Sequence, residues 1–129
     1  MEEAERLEVH KAVREIFRRP DTWIQNWFAA THPDANNPER WRCTAGCTTS
    51  IVRDHAGLYK CFCLTGAYYK VTGETDYAVV DELARDHVPM DLDRPLSNAE
   101  EMVEWNDQPG RTVIDVLRLL DNTIARMEP

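Results

Sequence analysis

The chain has 129 residues, 43% of them hydrophobic and 29% charged, with a net charge of −8. That length predicts one domain, 1–129, with enough chain to bury a core without obligatory staples. No apolar run reaches the ~18 residues of a membrane span, and the net charge argues against direct DNA binding, which needs clustered Lys and Arg.

The first twenty residues, MEEAERLEVHKAVREIFRRP, are acidic and amphipathic. They lack the basic start and apolar centre of a secretory signal, so the expected location is the cytoplasm. Leu7, Ala12, Val13, Ile16 and Phe17 recur at helical spacing over residues 3–18, and Pro20 ends the pattern. Trp23, Trp27 and Phe28 are expected on one short helical turn, and THPDANNP after them is a loop by composition.

In the middle, β-branched and aromatic residues flank the turn-like DHAG. This predicts a short β-hairpin near residues 48–63, with strands at 48–53 and 58–63. LTGAYYKVTG then becomes helical and stops at Gly73. A helix is expected over 75–88, with Thr75 as its cap, Val79, Val80 and Leu83 on one side, and Pro89 as its limit. SNAEEMVEW opens with Ser97 and Glu100 at capping-box spacing. TVIDVLRLLDNTIARM repeats the device with Thr112 and Asp115, and Val113, Val116, Leu117, Leu120, Ile124 and Met127 form one face. The fold class is therefore mainly α: a small single-domain bundle of about four to five helices carrying one short hairpin.

Three places offer chemistry. WNDQPGRT joins two helices. Asn106 and Asp107 suit a helix end, Pro109-Gly110 turns the chain, and Thr112 caps the next helix. Arg111 is expected to pair with Asp107, and Trp105 to bury its ring under the corner. The rival reading has Trp105, Asn106, Asp107 and Arg111 converge on a small polar ligand, but no nucleophile with a base lies in the segment.

The four cysteines, Cys43, Cys47, Cys61 and Cys63, follow C-x3-C-x13-C-x-C. A hairpin centred on DHAG brings Cys47 opposite the Cys61–Cys63 end with Cys43 nearby, which suits a structural tetrahedral zinc site. His32 is an alternative ligand; His55, at the turn, is at the wrong end. Reduced, separately buried thiols are the second reading, and disulfides, disfavoured in a reducing cytoplasm, the third.

The third place is a charge run. Residues 74–107 hold eleven carboxylates against Arg85 and Arg94. Asp81, Glu82 and Asp86 are the first candidates for a partner surface, although a solvated face alone accounts for most such runs.

CLTGAYYKVTG and WNDQPGRTVIDVLRLLDNTI resemble an uncharacterised family of small proteins of actinobacteria and their phages. That family carries a C-L-x-G-A helix start and a W-N-D-x-P-G-R-T turn before a leucine-rich last helix. The matches fall at Cys63, Leu64, Gly66 and Ala67, and at Trp105, Asn106, Asp107, Pro109, Gly110, Arg111 and Thr112. The resemblance implies a mainly helical domain and no particular activity, and its pattern does not include Cys43, Cys47 or Cys61.

With no evident catalytic constellation, the reading leans away from an enzyme. The expected function is that of a phage-type accessory protein that binds a host protein through its acidic surface. The alternative is a zinc-stabilised nucleic-acid module in which Arg42, Arg53 and Lys60 make the contacts and Tyr59 and Phe62 stack on bases.

Overall fold

The computed structural model describes residues 2–31, 42–43, 51, 57–73, 79–80, 82–83 and 98–129. The fold is mainly α with short antiparallel β pairing. Among the described residues four helices are bounded: α1 (Glu3–Arg18), α2 (Leu64–Thr72), α3 (Asn98–Asp107) and α4 (Val113–Met127). Val79, Val80, Glu82 and Leu83 are also helical, within the expected 75–88 element, whose other residues lie outside the described set. The strands are β1 (Ala29–Ala30), β2 (Arg42–Cys43) and β3 (Cys61–Phe62).

α1 begins with Glu3 and Glu5 in its first turn and ends with Arg18 in its last, charges that complement the helix dipole. The Thr22 hydroxyl donates to the Ile16 and Arg19 carbonyls and so closes the end that Pro20 forces. Val13 and Phe17 face inward, as expected, together with His10, which apolar spacing alone did not single out.

α4 is the best-specified element. The Thr112 side chain accepts from the Asp115 backbone N–H, and the Asp115 carboxylate accepts from the Thr112 N–H at 2.9 Å, a complete capping box. Val116, Leu119, Leu120, Ile124 and Met127 are buried on one face. That face packs along α1, α1 also meets α2, and α2 meets α3. The resulting core joins Val13, Phe17, Leu64, Met102, Trp105 and Leu120, with Ile51, Val79 and Leu83 supplied by the intervening chain.

The β pairing differs from the expected hairpin. β3 lies within the strand predicted at 58–63, but its antiparallel partner is β1, with Ala29 opposite Phe62 and Ala30 opposite Cys61. β1 in turn pairs with β2, so the sheet order is β2-β1-β3. Ile51 is helical and buried; the rest of 48–56, including Asp54, His55 and Ala56 of the turn, lies outside the described residues. The free edge of β3 is taken by residues 22–24. Phe62 N–H donates to the Thr22 carbonyl at 2.7 Å and Ile24 N–H donates to the Phe62 carbonyl at 3.1 Å, a parallel bridge. Residues 22–30 therefore straddle β3, one arm parallel to it and the other antiparallel.

That straddle explains why Trp23, Trp27 and Phe28 are not on a helical turn, as the sequence suggested. Trp23 is held in the bridge, and the chain reverses over residues 25–28 with Asn26 in the left-handed region at φ 71°, a conformation that Asn tolerates better than most residues. Of the remaining expectations, the Ser97 and Thr75 caps and all of the THPDANNP loop after Thr31 lie outside the described residues.

Candidate functional site

The corner at 105–112 is built around Asn106, which is fully buried. Its Oδ1 accepts from the Trp23 indole N–H at 2.7 Å and from the Leu64 backbone N–H at 3.0 Å. Its Nδ2 donates to the Ile24 carbonyl at 3.2 Å and to Asp107 Oδ1 at 2.9 Å. One amide thus ties together the end of α3, the first turn of α2 and the straddling arm. A buried amide needs such partners, since each unpaired polar group costs about 1–3 kcal/mol.

The rest of the corner is committed in the same way. Asp107 Oδ1 also accepts from Asn26 N–H, and Gln25 Nε2 donates to the Asn106 and Gln108 carbonyls. The expected Arg111–Asp107 pair is replaced by other contacts. Arg111 Nε donates to the Trp105 carbonyl, its Nη2 donates to Gln108 Oε1 at 2.6 Å, and the guanidinium lies 4.0 Å from the centre of the Trp105 ring. Asp107 is drawn away by its neighbour Asn106 and by the Asn26 N–H, the second of which sequence distance concealed. Gly110 supplies φ 86° at the turn, a value that suits glycine.

α2 starts beside this corner. Cys63 is its N-cap, the sulfur accepting from Gly66 N–H at 3.3 Å. Burial pushes the Cys63 thiol up to about 12, the Gly66 N–H partly offsets this, and the Asp107 charge adds to it. The thiol is therefore protonated and a poor nucleophile at neutral pH. Cys61 is also buried, and its S–H donates to the Asp21 carbonyl. Cys43 belongs to β2, where its backbone aligns with Ala29, and β1 stands between it and β3. Cys47, His32 and His55 lie outside the described residues, and among the described residues no three metal-ligating side chains gather.

A second polar cluster was not foreseen. His10, with no exposed surface, has Nδ1 2.6 Å from the Tyr68 hydroxyl and Nε2 3.3 Å from Glu82 Oε1. Arg6 Nε lies 2.9 Å from that same carboxylate oxygen, and Arg126 donates to the Glu82 carbonyl. Burial holds the Tyr68 hydroxyl proton well above its ordinary range, and the Glu82 charge acts in the same direction. The Tyr68 hydroxyl and both His10 nitrogens are paired if Tyr68 O–H donates to Nδ1 and a neutral His10 donates from Nε2–H to Glu82. The His and Tyr rings meet edge to face, their centres 5.5 Å apart.

This placement takes Glu82 out of the expected partner surface of Asp81, Glu82 and Asp86. Glu82 is only 7% exposed and is spent on Arg6 and His10, because it sits three places after Val79 on the inward side of its helical segment. Asp81 and Asp86 lie outside the described residues. Of the proposed nucleic-acid contacts, Lys60 is exposed, Tyr59 is half-buried and Phe62 is buried in the core; Arg53 lies outside the described residues, and Arg42 is placed only as part of β2. The available signal for the His10 cluster was a histidine spaced three and seven residues before Val13 and Phe17, an inward position that demands a polar partner.

Chemically, both clusters hold groups used in catalysis, yet each spends them on internal partners. A family model described as a family of unknown function (DUF6197) matches residues 1–126. No curated protein and no solved structure matches the chain.

Proposed function

The chain belongs to DUF6197, a family of unknown function, and we propose that it acts by binding a partner protein and not by catalysis. The observation that carries this reading is the commitment of Asn106, Asp107, Arg111, His10, Tyr68 and Glu82 to one another or to the backbone. Groups fixed in this way stabilise a scaffold, whereas a catalytic group must reach a substrate in a plausible pose. The acidic run remains the surface through which a partner is met. Glu100 and Glu104 of α3 are exposed, and Asp81 and Asp86 belong to the same run. A negative patch of this kind attracts a basic partner surface and speeds encounter.

The partner in this reading is a host protein met in the cytoplasm, in keeping with the resemblance to small actinobacterial and phage proteins. The zinc-stabilised nucleic-acid module is the weaker reading, since the Cys63 sulfur is engaged as a helix cap and β1 stands between the Cys43 strand and β3. The test is charge reversal at Asp81, Asp86, Glu100 and Glu104 with Glu82 left intact. Capture from host lysate, read by mass spectrometry, should lose a salt-sensitive partner while the melting transition stays cooperative. Retention of the same partner at the same salt dependence overturns the acidic surface.

A further inference from the structure

We draw no further inference here: the strongest candidate, the buried Arg6–His10–Tyr68–Glu82 cluster between α1, α2 and the helical residues around 79–83, belongs to the site already described, and nothing among the described residues shows what would reach side chains already bonded to one another.

Discussion

Asn106 uses its whole hydrogen-bonding capacity, two lone-pair directions on the oxygen and two protons on the nitrogen. Asn106→Ala strands the Trp23 indole N–H, the Leu64 N–H and the Ile24 carbonyl at once. At about 1–3 kcal/mol for each buried group, discounted for relaxation, the expected loss is about 3–5 kcal/mol in urea unfolding. A loss below about 1 kcal/mol would show that water replaces the amide easily. Asn106→Asp keeps the acceptors, but it removes both donors and sets a second carboxylate against Asp107, so it too should destabilise. Cys63 makes a different prediction, in alkali. Its folded value is raised from 9.0 to about 12, so the unfolded chain releases that proton first. Stability is then fully present below pH 9.0 and declines as pH rises toward 12. Cys63→Ser retains a capping atom that does not titrate, and the decline between those limits should become shallower in pH-dependent unfolding.

At the level of elements, the tightest constraint is the passage from β3 into α2. A Cβ on Gly66 would lie 1.9 Å from the Phe28 carbonyl oxygen and 2.8 Å from its carbon. Those are backbone atoms of the antiparallel arm, and the same oxygen accepts the Cys63 N–H. Gly66→Ala must therefore push α2 off the arm, and the gain in helix propensity, up to about 1 kcal/mol, is too small to compensate. We expect a loss of about 2–4 kcal/mol by thermal or chemical unfolding, and an unchanged or higher midpoint would contradict the close approach. Elements with strong local signals were legible in the sequence. α1 was bounded by Pro20, α2 by Gly73, whose φ is 71°, and α4 by its capping box and apolar face. The pairing of β3 was not legible, because two-residue strands carry no periodicity and β1, Ala29–Ala30, has a composition that favours no strand. The corner was recognised from its turn residues, but its partners Trp23, Gln25 and Asn26 are more than eighty residues away and leave no local trace.

Across the whole molecule, two polar knots set the relative positions of the elements within a mainly apolar core. The Asn106 knot joins the straddling arm, α2 and α3; the His10 knot joins α1, α2 and the helical residues around Glu82, with α4 reaching it through Arg126. Tyr68→Phe tests the second knot. The ring still packs, but His10 Nδ1 loses the Tyr68 hydroxyl, and the expected cost is about 1–3 kcal/mol in urea. Side-chain nitrogen NMR should report a changed tautomer or protonation state of His10; an unchanged spectrum with unchanged stability would mean that the short Tyr–His contact has little weight. The other feature at this scale is the placing of residues 61–62 between two earlier pieces of chain. A nascent polypeptide emerging from the ribosome offers residues 22–30 first, as an open fork with nothing between its tines. Until some thirty further residues have been made, the backbone donors and acceptors lining that gap stay unmatched, the condition under which unpaired strand edges associate with the wrong chain. Truncations ending before residue 61 should therefore be sticky, and those that include α2 markedly less so.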